Sequence, residues 1–226
     1  MASASPPSSS PILPSEEILT QLQDLSLDPN RPLIISDADE VLLHFMERLE
    51  HFLERKGLWI DLTKFAISGN IRSRETNELV EVPNLVEDFF ATETLHLTPT
   101  QGAAESLAAL APYAQIIIFT NLPLFAKAER VQNLASHGMD YPVIVGSGLK
   151  GVAVGHIARQ IKKPVFFLDD IPHNIDSVAE HSPDTHRIHF VADTRLAARV
   201  SAASHASARI DVWSEAYDWI KARLDG

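Results

Sequence analysis

Five short apolar runs separated by helical stretches predict a doubly wound, Rossmann-like α/β fold on a parallel sheet. A small, partly helical cap is inserted after the first strand. Three observations support this. The runs Leu33-Ile34-Ile35-Ser36, Gln115-Ile116-Ile117-Ile118-Phe119, Pro142-Val143-Ile144-Val145, Pro164-Val165-Phe166-Phe167-Leu168 and Arg187-Ile188-His189-Phe190-Val191 are apolar rather than alternating, as strands covered on both faces are. Helical patterns fall between them. About 75 residues separate Asp39 from Ile116, too many for one crossover helix.

In chain order, residues 1–15 are rich in Ala, Ser and Pro and read as a flexible tail. Ser15-Glu16-Glu17-Ile18 reads as a helix start, with Ser as cap and acids in the first turn; Ile18, Leu22 and Leu25 share one face. Asp28-Pro29-Asn30 ends that helix, and the first strand follows. Residues 44–95 form the expected cap. Within it a helix is predicted over 41–56, overlapping the strand exit, a short strand at Phe65-Ala66-Ile67-Ser68 and a helix over 85–90. The α/β core is then 16–43 and 96–226, with helices predicted over 102–110, 123–137, 152–161, 174–181 and 213–224. Phe45, Phe52 and Trp59 read as an aromatic core stripe.

Composition narrows the function. With 19 Lys and Arg against 30 Asp and Glu, the formal charge is −11, which disfavours a nucleic acid polymer as partner. There is no cysteine, so thiolate catalysis and Cys-ligated zinc are excluded. Apolar runs are too short to span a bilayer, and the start lacks the layout of a secretory signal, so no membrane partner and a cytoplasmic location are expected. The histidines are scattered without metal-site spacing, and Gly146-Ser147-Gly148 falls short of a nucleotide-binding fingerprint.

In open α/β sheets ligands bind beyond the carboxyl ends of the strands. Those ends carry Asp37-Ala38-Asp39, Thr120-Asn121 and Asp169-Asp170, and Lys150 opens the helix after the third strand. Crowded carboxylates repel one another unless a hard divalent cation such as magnesium relieves them. A carboxylate could attack a phosphoryl group in line, a second could move protons, and Lys150 and Thr120 could offset charge on the phosphoryl oxygens.

The ordered motifs Asp37-Ala38-Asp39-Glu40-Val41-Leu42, Ile118-Phe119-Thr120-Asn121, Lys150 and Phe167-Leu168-Asp169-Asp170 resemble those of the haloacid dehalogenase-like hydrolase superfamily, over nearly the whole chain. The resemblance implies a magnesium-dependent phosphomonoester hydrolase acting on a small phosphorylated metabolite through an aspartyl-phosphate. In that reading Asp37 is the nucleophile and Asp39 the general acid/base, with its carbonyl on the metal. Thr120 and Asn121 lie at the phosphate, and Lys150 holds phosphate and nucleophile. Asp170 is favoured as the direct magnesium ligand, with Asp169 behind it. An acid at Asp39 argues against dehalogenation. Glu40 stands where many relatives have Gly, which predicts strain if φ is positive there. The implied cap would select substrate, with Lys64, Arg72 and Arg74 as candidates for gripping an anion and His173 as a candidate lining residue. Two readings stay open beside this one: a 5'-(deoxy)nucleotidase, suggested by Phe45 following the first motif, and a non-catalytic binding protein of the same fold. A phosphoacceptor receiver domain fits less well, because Lys150 precedes Asp169-Asp170.

Overall fold

A computed structural model describes residues 12–63 and 66–224. Most of the expected tail, together with Lys64 and Phe65, lies outside the described residues. The elements are α1 (Glu16–Gln23), β1 (Leu33–Ser36), α2 (Phe45–Glu54), β2 (Leu58–Ile60), β3 (Ile71–Ser73), α3 (Leu85–Glu93), α4 (Ala103–Leu110), β4 (Gln115–Asn121), α5 (Lys127–Ser136), β5 (Val143–Gly146), α6 (Gly151–Ala158), β6 (Val165–Asp169), α7 (Pro172–His181), β7 (His186–His189), α8 (Thr194–Ala197), β8 (Ala208–Arg209) and α9 (Trp213–Lys221). Ser15 caps α1, its Oγ accepting from the Ile18 amide at 3.4 Å. No helix among the described residues is long and apolar enough to cross a membrane.

The main sheet has six parallel strands in the order β5-β4-β1-β6-β7-β8. Every β1 residue is buried, and alternate side chains feed two cores: Ile34 joins Ile116, Ile118, Phe166 and Trp213 on one side, while Leu33 and Ile35 join Ile117, Phe167, Val154 and Ile175 on the other. That two-sided burial is why these strands are continuous apolar runs. Because β4 and β6 flank β1 on opposite sides, the strand order reverses at β1. Its carboxyl end therefore opens the crevice where such folds hold ligands.

The five expected strands are present. The two-residue β8 and the one-turn α8 are too short to leave a periodic signal. The expected strand at 65–68 is corrected. Residues 66–68 are irregular, and the β2–β3 hairpin pairs Leu58 with Ser73, Trp59 with Arg72 and Ile60 with Ile71 instead. The helix predicted from 41 begins at Phe45, because the Val41, Leu42 and Leu43 amides all donate to the Ala38 carbonyl in a tight turn. Helices α2 and α3 meet through aromatic edges, Phe45 to Phe89 at 4.9 Å and Phe52 to Phe89 at 5.6 Å between centroids. Behind them the buried Glu93 carboxylate is held by Arg48 at 2.6 Å and by Arg55.

Helix α6 packs backbone to backbone on α7, and glycine makes this possible. A Cβ on Gly151 would lie 2.2 Å from the Ser177 carbonyl oxygen, and one on Gly155 2.6 Å from that of His181. Neither position has room for a side chain. The close approach brings Lys150, one residue before α6, down to the sheet edge.

Candidate active site

Asp37 follows β1 directly, and its amide continues the ladder by donating to the Leu168 carbonyl at 2.8 Å. Its Oδ1 accepts from the Ala38 amide at 2.6 Å and its Oδ2 from Lys150 Nζ at 2.8 Å. The same Nζ donates to Asp169 Oδ2 at 2.8 Å, so one ammonium bridges the strands that carry the two acids. Asp169 is saturated: Oδ1 also accepts from the Ile171 amide at 2.9 Å, and Asn174 Nδ2 reaches both oxygens at 3.0 and 3.1 Å. Asp170, next along, instead lines a cavity of about 390 Å³ together with Asp37, Asp39, Asn121 and Asn174. One carboxylate oxygen from each of Asp37, Asp169 and Asp170 falls within a 4.8 Å cluster.

Burial governs the electrostatics. Desolvation raises the Asp37 carboxyl to about 6 against the pull of Lys150, and raises Asp170 well above the usual range, with the Asp169 and Asp37 charges adding to it. Burial also disfavours the Lys150 ammonium, but the Asp169 and Asp37 charges outweigh it and its pKa rises. Lys150 is therefore a fixed cation. Asp37 and Asp170 thus present carboxyl oxygens to the cavity, with a single ammonium shared between Asp37 and Asp169 behind them. An oxygen-only donor set of this kind fits magnesium. Asp37 and Asp170 would hold it, with Asp169 tied to lysine behind them.

Asp39 is partly exposed in the same cavity, and its Oδ1 lies 2.7 Å from Arg130 Nη1. Burial raises its pKa, and Arg130 opposes the rise. Thr120 is fully buried at the end of β4, its Oγ1 without a hydrogen-bond partner. Asn121 lines the cavity, its Nδ2 donating to the Gly148 carbonyl at 2.8 Å.

Glu40 does have positive φ, +55°. The strain, about 1–2 kcal/mol for a non-glycine residue, is offset by its side chain. Oε1 accepts from the Met46 amide at the start of α2 at 2.6 Å, and Oε2 from the Asp193 amide at 3.0 Å. Glu40 thus ties the start of α2 to the loop before α8, and burial lifts its carboxyl to about 7.

The cap candidates lie elsewhere. Arg72 turns to Asp61 at 3.8 Å and the Asn77 carbonyl at 2.9 Å, Arg74 to Glu54 at 3.3 Å and the Leu58 carbonyl at 3.0 Å. Neither lines the cavity; each is paired instead with groups of the hairpin and of α2. Lys64 lies outside the described residues. His173 borders a separate cleft with Asp176 and His205. The cavity roof is apolar instead, formed by Phe45, Met46, Ile67, Val86, Phe90 and Leu196.

Sequence reasoning missed Asn174, Arg130 and His189. His189 is buried; its Nδ1 accepts from the Ala203 amide at 3.0 Å, which leaves Nε2–H to donate to the Asp170 carbonyl at 2.9 Å. Burial and Arg209 lower its pKa, favouring that neutral form. Asn174 follows the Asp pair by four residues, a spacing that one helical turn brings back to the strand end.

Comparison with solved structures settles the architecture. A protein of Burkholderia xenovorans described as a haloacid dehalogenase-like hydrolase superposes with a TM-score of 0.60 at 11% identity, covering 88% of this chain and all of the other. The fold is that of the haloacid dehalogenase-like hydrolases. An L-2-haloacid dehalogenase of Xanthobacter autotrophicus with chloropropionic acid covalently bound superposes with a TM-score of 0.56 at 12% identity, over 84% of this chain and 98% of the other. A hydrolase of this class from Bacillus subtilis, bound to magnesium, does so with 0.52 at 10% identity, over 85% and 99%. No protein-family model matches the chain, and no curated protein matches it. The haloacid dehalogenase-like fold therefore rests on shape, and the chemistry on the residues.

Proposed function

We propose that the chain is a magnesium-dependent phosphomonoester hydrolase acting through an aspartyl-phosphate on Asp37. The observation that carries this reading is Lys150 bridging Asp37 and Asp169 at 2.8 Å each, with Asp170 and Asp39 opening into the same cavity. The magnesium-bound Bacillus subtilis neighbour supports the choice of ion. An acid at Asp39 supports phosphate-ester cleavage over dehalogenation, because an ester oxygen needs a proton to leave and a halide does not.

An Asp37 carboxylate oxygen attacks phosphorus while the bond to the ester oxygen breaks. Asp39, protonated, gives its proton to that oxygen and the alcohol departs. Water then attacks the phosphorus, Asp39 takes its proton, and the bond to Asp37 breaks to release phosphate. Lys150 holds the nucleophile and neutralises phosphoryl charge; the Asn121 amide and the unpartnered Thr120 hydroxyl lie at the same strand end. Asp37 and Asp170 would hold magnesium, which would supply further charge neutralisation.

The apolar roof refines the substrate to a small phosphorylated metabolite with an apolar alcohol part. Each methylene it buries adds about 0.8 kcal/mol, roughly fourfold in kcat/KM. The test is phosphate release, with and without magnesium, from a panel containing aryl, alkyl, sugar and nucleoside monophosphates. The expected result is metal-dependent turnover favouring apolar esters and lost in Asp37→Asn. Absence of turnover across the panel would reject the proposal.

A further inference from the structure

Arg130, on α5, is a cation that the chemistry above leaves unused. It has no solvent exposure, and Nε, Nη1 and Nη2 all lack a hydrogen-bond acceptor in acceptable geometry. Its short approach to Asp39 Oδ1, 2.7 Å, is a charge contact off the N–H axis. The other neighbour of note is the Phe90 ring, 5.9 Å from Cζ. A buried guanidinium is expensive to desolvate and contributes less than a packed apolar side chain unless its partner needs it. Helix α5 also has little freedom: Asn133, one turn on, donates to the Leu95 and Leu97 carbonyls at 3.1 and 3.0 Å. The guanidinium is therefore held at a fixed place beside Asp39, beneath the cap residue Phe90.

The consequence for Asp39 is directional. Its Oδ1 is buried against Arg130, while the residue as a whole remains open to the cavity. Oδ2 is thus the oxygen left to meet substrate. We propose that Arg130 is a positioning residue that clamps Oδ1 and so aims Oδ2 at the leaving oxygen; this rests on the phosphomonoesterase reading. In the first step the proton leaves Oδ2 for the ester oxygen as the ester P–O bond breaks and the Asp37–P bond forms. The carboxylate so produced lies against a cation instead of alone in a desolvated pocket. In the second step it takes a proton from water as the Asp37–P bond breaks.

An aligned general acid matters only when the leaving group is a poor one. 4-Nitrophenolate leaves unassisted, whereas an alkoxide must be protonated. The deciding experiment compares kcat/KM for 4-nitrophenyl phosphate and n-butyl phosphate in wild type, Arg130→Met and Arg130→Lys, with magnesium and with folding checked by circular dichroism. For Arg130→Met, n-butyl phosphate is expected to lose about 10²-fold and 4-nitrophenyl phosphate less than about threefold. Arg130→Lys should fall between, since it restores the charge without the fork. In Asp39→Asn the added Arg130→Met change should cost nothing further on n-butyl phosphate. An equal loss on both esters, or no loss, overturns the role. If Arg130→Met does not fold, the same ratio in Arg130→Lys decides, and an unchanged ratio there overturns it. A wild type inactive on every ester would reject the phosphatase reading and this role together. An active wild type with a flat Arg130→Met profile rejects the role alone.

Discussion

Asp37 and Asp170 line the floor of the cavity, with Asp169 and Lys150 buried directly behind them, whereas its roof presents Phe45, Met46, Ile67, Val86 and Phe90. On the floor Asp37, Asp169 and Lys150 are committed to one another, and removing one strands another in a low-dielectric site. The roof is held by packing alone, so a lost side chain costs contact area and leaves no orphaned charge. In the proposed reaction, chemistry therefore belongs to an interlocked floor and substrate choice to a replaceable roof.

The sharpest way to break that contrast is Lys150→Met. It leaves Asp37 and Asp169 buried without their shared cation, and urea unfolding should show a loss of about 3–5 kcal/mol together with loss of turnover. Magnesium should restore part of the stability. A variant as stable as wild type would mean that the floor is not interlocked. Next comes Gly151→Ala, a probe of the floor through its scaffold. The added methyl has no space against the Ser177 carbonyl, so α6 must move and take Lys150 with it. About 1–3 kcal/mol of stability should be lost, and kcat should fall more than KM rises.

Acidity offers a gentler probe. Glu40 and Asp37 have carboxyls raised by burial, so the folded state favours their protonated forms. The stability this gives is fully present below the ordinary carboxylate range. It is lost as pH rises from about 4.5 through about 7 for Glu40, and through about 6 for Asp37. The metal-free chain should melt at lower temperature at pH 8 than at pH 5. Glu40→Gln should shrink that difference, and magnesium should raise the melting temperature more at pH 8. A melting temperature independent of pH would count against burial as the cause. The smallest effect is expected from the roof. Val86 is partly exposed, so Val86→Ser should change stability by less than about 0.5 kcal/mol. It should raise KM for apolar esters severalfold while kcat holds. A fall in kcat instead would show that the roof takes part in the chemistry.

Much of the floor could be read from the chain because strand ends are local. An apolar run followed by Asp37, by Thr120-Asn121 or by Asp169-Asp170 announces both the strand and what it delivers, and the parallel order places those ends on one edge. The roof could not be read that way. Arg72 and Arg74 looked like grips for an anion, but folding gave each a carboxylate partner nearby, Asp61 beside β2 for Arg72 and Glu54 on α2 for Arg74.

What the sequence determined by itself was the sheet, the order of its motifs and the acids and lysine at its edge, since burial period and strand-end position are properties of neighbouring residues. Tertiary structure alone decided that Asp169 is spent on Lys150 while Asp170 faces the cavity, that Glu40 offsets its backbone strain by bonding the Met46 and Asp193 amides, and that Arg130 stands beside Asp39. Such pairings join residues up to 153 positions apart, as Glu40 and Asp193 are. They depend on which desolvated charges meet once the chain has packed, a choice that local pattern does not encode.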